Sequence, residues 1–166
     1  NDSLIENNTM NSEVALNTYG IYLNEGNSNV IENNSIDWNS TAAVSAGIYM
    51  SAGLLVNNNV TNNSISSYAA GGSFTAGIEF YSLGNFSNNI FHSNIINARS
   101  SSNVASGFYL QNYGTFEDNL FNSNVIDVST IDNSYGYQFL GYASPESNTI
   151  FNDTITVFSS DSGASV

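Results

Sequence analysis

The stretch VIENNSI, Val30 to Ile36, returns five more times along the chain in altered spelling. LIENNTM (Leu4 to Met10) precedes it, and NVTNNSI (Asn59 to Ile65), NIFHSNI (Asn89 to Ile95), NLFNSNV (Asn119 to Val125) and TIFNDTI (Thr149 to Ile155) follow. With Met10, Ile36, Ile65, Ile95, Val125 and Ile155 as the reference column, successive copies lie 26, 29, 30, 30 and 30 residues apart. A nearly fixed period of this length is the signature of a stacked repeat and outranks local propensity. A second element, GIYL at Gly20 to Leu23, recurs as GIYM (Gly47 to Met50), GIEF (Gly77 to Phe80), GFYL (Gly107 to Leu110) and GYQF (Gly136 to Phe139). Its second and fourth residues are apolar in every copy, and the third is Tyr22, Tyr49, Glu79, Tyr109 or Gln138. Such alternation reads as a half-buried strand, with the leading glycine fitted to a tight bend entering it.

Strands that recur every 30 residues or fewer, with no helical period between them, must stack on their own equivalents in neighbouring rows. The predicted fold is all-β: a single-stranded parallel β-helix, or β-solenoid, of five to six coils. One domain covers residues 1–166, with rows starting near 4, 30, 59, 89, 119 and 149 and a tail over 159–166. Reading down the columns, Ile5, Ile31, Val60, Ile90, Leu120 and Ile150 join the reference column as two inward aliphatic ladders. Asn7, Asn33, Asn62, His92, Asn122 and Asn152 form a third column, and Ser3, Asn29, Asn58, Asn88, Asp118 and Asn148 a fourth. An asparagine tolerates the left-handed backbone of a bend, and its amide can donate to and accept from the one a row away. The third column is therefore expected to be a structural Asn ladder, with His92 filling one rung.

These residues resemble the parallel β-helix repeat found in pectate-lyase-like and NosD-like proteins, which reads roughly N-x-I-x-N-x-x-I with GIYL-type strands. The resemblance covers Leu4 to about Phe158 and implies a right-handed helix of three short sheets per coil. It implies little about activity, because one scaffold of this kind carries lyases, hydrolases, adhesins and fibre proteins.

Composition narrows the partners. Arg99 is the only Lys or Arg, and the formal net charge is −13. Such a chain is repelled by phosphate backbones and anionic lipid, so nucleic acid and membrane insertion are not expected. No Cys is present, which excludes thiolate metal sites and disulfides. A polar, Lys-free composition suits an extracellular or cell-surface protein. The polysaccharide-cleaving enzymes that the pattern resembles use clustered basic residues or sets of aspartates. Here His92 and Arg99 are the only basic side chains, and Glu117 with Asp118 and Asp127 with Asp132 the nearest carboxylate pairs, so no catalytic residue is assigned.

Glu6 and Glu32 share a column in adjacent rows; Ca²⁺ is the ion such a pair would take, but solvated carboxylates are the simpler account and no cofactor is required. Further along that column come Phe91, Phe121 and Phe151, which point outward if Ile90 and Leu120 point inward. Tyr22, Tyr49 and Tyr109 make a second outward line. Exposed aromatic stripes suit sugar stacking or packing against another subunit. Eight Asn-X-Ser/Thr sequons occur, close to the number chance supplies, and those at Asn7, Asn33, Asn62 and Asn152 would be poor acceptors in a buried ladder. The sequence thus reads as a non-enzymatic structural or adhesive β-helix whose partners are other copies of itself or a surface. Its ends do not read as caps: either the chain is a segment of a longer solenoid, or its ends are expected to be occupied by other copies, stacked into a filament. The alternative is a carbohydrate-binding or carbohydrate-active β-helix.

Overall fold

A computed structural model describes residues 2–14, 17–24, 26–41, 44–71, 74–101, 103–141, 145–160 and 163–165. Every strand pairing among these is parallel and joins a row to the next, so the chain climbs as a β-solenoid with three sheets. The first sheet stacks the three-residue strands Leu4–Glu6, Val30–Glu32, Asn59–Thr61, Ile90–His92, Leu120–Asn122 and Thr149–Phe151. The second stacks Thr9–Val14, Ser35–Ser40, Ser64–Ala69, Ile95–Ser100, Val125–Thr130 and Thr154–Ser159. The third holds the Gly-motif strands Thr18–Leu23, Val44–Val56, Phe74–Ser87, Val104–Asn112 and Asn133–Gly141. The predicted architecture and the Gly-motif strands are therefore present.

The register differs from the predicted one in two rows. Ile65 pairs with Ile96, and Ile96 with Ile126, so the reference column continues through Ile96 and Ile126 rather than Ile95 and Val125. In the first sheet, Val60 pairs with Phe91 and Phe91 with Phe121. One residue of slip exchanges the two faces of a strand. Phe91 and Phe121 are accordingly core residues at 0% and 1% exposure, and of the predicted phenylalanine stripe only Phe151, at 62%, faces out. Conversely Ile90, Ile95 and Val125, expected inside, are exposed. The inward columns Ile31, Val60, Phe91, Phe121 and Ile36, Ile65, Ile96, Ile126 meet Ile48, Ile78 and Phe108 from the third sheet to fill the core. Phe91 stacks on Phe121 with centroids 4.8 Å apart, which is the row spacing itself.

Asparagine ladders are present, built from other residues than predicted. Asn7, Asn33, Asn62 and Asn152 are exposed bend residues with φ of 54–58°, and the corresponding bends in rows four and five are Ser93 and Ser123. His92 and Asn122 precede those bends as strand residues, where His92 Nδ1 meets the Asn122 carbonyl at 3.2 Å and Nε2 meets Ser93 Oγ at 3.0 Å. The ladder is made by the following residue of each bend: Asn8, Asn34, Asn63, Asn94, Asn124 and Asp153. Asn63 shows the full pattern. Its Nδ2 donates to the Asn94 Oδ1 (3.0 Å) and the Ile31 carbonyl (2.9 Å), and its Oδ1 accepts from Asn34 N and Nδ2 (3.0 Å each). A second ladder, Asn29, Asn58, Asn89, Asn119 and Asn148, runs between the third and first sheets. Asn88 and Asp118, assigned to that column from the sequence, are its left-handed bend residues. Asp153 replaces asparagine in the sixth row, and its Oδ2 accepts a hydrogen bond from the inward Tyr137 hydroxyl.

The leading glycines are not bends. Gly20, Gly47, Gly77, Gly107 and Gly136 lie within strands, and a Cβ on any of them would sit 2.1–2.5 Å from the Cγ2 of Ile36, Ile65, Ile96, Ile126 or Ile155. Glycine is required because the second sheet's isoleucine column packs directly onto the third sheet's backbone.

Candidate functional site

The third sheet's outer face is set by the same register. Tyr22, Tyr49, Glu79, Tyr109 and Gln138 are Cα partners in successive rows. They stand between inward residues such as Ile48 and Met50, so all five project away from the core. Three residues earlier runs the column Tyr19, Ala46, Ala76, Ser106 and Tyr135. It faces the same way, since Tyr19 stacks on Tyr49 with centroids 4.4 Å apart and Ser106 Oγ donates to Gln138 Oε1 at 2.7 Å. Tyr22, Tyr49 and Tyr109 thus stand in register on the outer face, within a wider aromatic surface.

Tyr22 stacks on Tyr49 as well, at 5.3 Å and 10° between planes. Phe74 meets Tyr109 edge-on at 4.6 Å, and Tyr81 meets Tyr113 at 6.2 Å. Ala46 and Ala76 are fully buried beneath these rings although they lie on the outer side of the sheet. Tyr22 remains 52% and Tyr113 42% exposed, so the surface presents aromatic rings to solvent. Beyond the tyrosines, Gly26 and Asn27 of the short strand Gly26–Asn27 and Ala52, Gly53 and Leu54 of the strand Val44–Val56 line a cleft of about 240 Å³.

Glu79 interrupts the tyrosine column. Its Oε2 is sealed from solvent and makes no hydrogen bond. Burial pushes the carboxyl up to about 7, and no neighbouring carboxylate contributes to the shift. The Tyr19, Tyr49 and Tyr109 hydroxyls are also held above their ordinary value, first by burial and in addition by the charge on Glu79. A lone carboxyl is therefore held among aromatic rings with incomplete hydrogen bonding, a costly arrangement that is typical of sites rather than of scaffolding.

The other sequence-predicted residues do not converge. Glu6 and Glu32 are register partners on the first sheet, and no group of three or more His, Cys, Asp or Glu suited to a metal occurs among the described residues. Arg99 and Asp127 form an exposed 3.8 Å ion pair on the second sheet, while His92 is engaged on the first. Glu117 lies on the short strand Phe116–Glu117 and Asp118 in the bend after it. Asp132 accepts from Asn133 Nδ2 at 2.9 Å. Glu79 was visible in the sequence as the odd member of the Gly motif. What marked it as a site residue was its position between two tyrosine rows, which needs the register.

The sequence model of a family described as "right handed beta helix region" matches residues 1–157. Neither a curated protein nor a solved structure matches the chain.

Proposed function

Because the chain belongs to the right-handed β-helix family, its coils provide a rigid scaffold and its role must be sought on its faces; we propose that it is an extracellular adhesive β-helix that binds carbohydrate on the tyrosine face of the third sheet, without catalysis of its own. The observation that carries this reading is the in-register set Tyr22, Tyr49, Glu79 and Tyr109, with Tyr19 and Phe74 packed beside it. Rows about 4.8 Å apart bring aromatic rings to the spacing at which successive sugar residues can lie across several rows. Tyrosine combines an apolar ring with a hydroxyl, the pairing that a sugar's C–H face and hydroxyl rim call for. A glycosidase would need two carboxyl groups about 5 to 9.5 Å apart, and burial, with no contribution from another carboxylate, accounts for the raised Glu79. A composition without Lys and rich in Asn, Ser and Thr is consistent with an exterior location.

The test is a glycan array probed with wild-type protein and with Tyr22→Ala and Tyr49→Ala. The proposal expects retention of one or more neutral glycans by the wild type and its loss in Tyr49→Ala, and equal retention by all three proteins refutes it. Filament formation is a second reading. It is favoured by the inward-column side chains Phe139 and Ile150 of the fifth and sixth rows, which are 41% and 49% exposed. A further coil, of the same polypeptide or of a second copy, would cover them. Negative-stain images of this chain showing fibres support it, and discrete particles at high concentration remove it.

A further inference from the structure

We propose that Glu79 marks a subsite for an organic cation, an amine or quaternary ammonium group held between Tyr49 and Tyr109 with the carboxylate as its counter-ion. The inference shares its location with the carbohydrate reading and rests on it only to that extent; a sugar bearing an amine would satisfy both.

Three observations lead to it. Tyr49 and Tyr109 flank Glu79 from the rows on either side, so their backbones stand two row spacings, about 9.6 Å, apart. A cation held over the Glu79 carboxyl would stand one row spacing, about 4.8 Å, from the Tyr49 row and from the Tyr109 row, within the range over which a cation is attracted to an aromatic face. Next, Glu79 Oε2 makes no hydrogen bond, and no Lys or Arg serves it: the chain's one such residue, Arg99, pairs with Asp127 on another sheet. The carboxylate therefore has no counter-ion of its own. Finally, the formal charge of −13 gives the whole surface a potential that concentrates cations and repels anions, which excludes the acidic sugars that a tyrosine face could otherwise accept. The burial that lifts the Glu79 carboxyl toward neutrality is the same burial that would strengthen its attraction for a desolvated cation.

The probe is choline, set against its neutral isostere 3,3-dimethylbutan-1-ol, with binding to the wild-type chain followed by calorimetry and by the tyrosine ring resonances at constant ionic strength. Choline is expected to bind about tenfold more tightly than the alcohol or better. Glu79→Gln, with its β-sheet circular dichroism intact, is expected to bring the two probes together. The inference is overturned if choline does not bind, if the alcohol matches it, or if choline binds Glu79→Gln as tightly as wild type, which would reduce the effect to net charge. Should Glu79→Gln fail to fold, Tyr109→Leu takes its place: it should weaken choline several-fold and leave the alcohol unchanged, and undiminished choline binding overturns the inference equally. Glucosamine against glucose separates the sources: a glucosamine preference assigns an amino sugar, whereas a preference for choline alone assigns a quaternary ammonium partner. If a neutral oligosaccharide binds and is lost in Tyr49→Ala while choline fails, the carbohydrate reading stands and this one falls.

Discussion

Asn62 and Asn63 are adjacent and chemically identical, yet they should differ sharply in what their loss costs. Asn63 is 1% exposed. Its side chain donates to the Ile31 and Thr61 carbonyls and to Asn94 Oδ1 at 2.9–3.0 Å, and accepts from Asn34 N and Nδ2 at 3.0 Å. Nδ2 has two protons to share among its three acceptors, so truncation to Ala removes the equivalent of four bonds and leaves the buried Asn34 N–H without an acceptor. At about 1 kcal/mol net per bond, reduced because several partners keep a second bond and increased by the orphaned donor, the loss is about 3–5 kcal/mol. Asn62 is exposed, and its side chain is needed only because φ is 54°, a region that Asn tolerates better than Ala by about 1 kcal/mol. Asn62→Gly should accordingly be nearly neutral. Urea unfolding followed by far-ultraviolet circular dichroism gives the midpoints of all three variants. Equal losses for Asn62→Ala and Asn63→Ala, or the reverse order, would refute the ladder described above.

Other perturbations test the register and the buried carboxyl. Phe91→Ala removes a fully buried ring and should cost about 3–5 kcal/mol, whereas Phe151→Ala, at a 62% exposed position, should cost under about 1 kcal/mol by the same unfolding assay. Gly77→Ala places a Cβ 2.1 Å from Ile96 Cγ2 and 2.9 Å from the Gly107 carbonyl and should lower stability by about 1–3 kcal/mol, while Gly53→Ala, with nothing within 4 Å, should change it little; thermal unfolding distinguishes them. Glu79 is raised from 4.5 to about 7 in the folded chain, so between those values the native state holds a proton that the unfolded state has released. Its contribution to stability is complete below pH 4.5 and is lost as pH rises through about 7, a change of about 3 kcal/mol. Glu79→Gln should therefore show a smaller fall in urea midpoint between pH 5 and pH 8 than wild type, and identical falls would contradict the burial of this carboxyl.

The period of the repeat was enough for the architecture, because stacking of like on like leaves few alternatives once strands recur every 26 to 31 residues. The faces were harder to read. In NIFHSNII, Asn89 to Ile96, the candidate core residues come in adjacent pairs, Ile90 with Phe91 and Ile95 with Ile96, so hydrophobicity alone cannot choose the register. The asparagine two residues before each isoleucine of the second sheet could have: Asn34, Asn63, Asn94 and Asn124 all stand at that distance from Ile36, Ile65, Ile96 and Ile126, and Asp153 from Ile155. In rows two and three the double Asn disguised which of the pair was the rung, and the analogy between them placed His92 in the ladder. The glycines misled for a related reason, since a close approach between sheets leaves the same mark in sequence as a bend. Tyr22, Tyr49 and Tyr109 were legible because their alternation is unambiguous, but the burial of Glu79 depends on how neighbouring rows pack and has no local signature.

Mapping a bound glycan through side-chain resonances of the wild-type chain shows whether ligands seat on the outer face of the third sheet. Perturbations confined to Tyr19, Tyr22, Tyr49, Phe74 and Tyr109, with Tyr68 of the second sheet and the exposed Ile90, Ile95 and Val125 unchanged, are the predicted result. Perturbations centred on those aliphatic residues, with the third-sheet tyrosines silent, would contradict it.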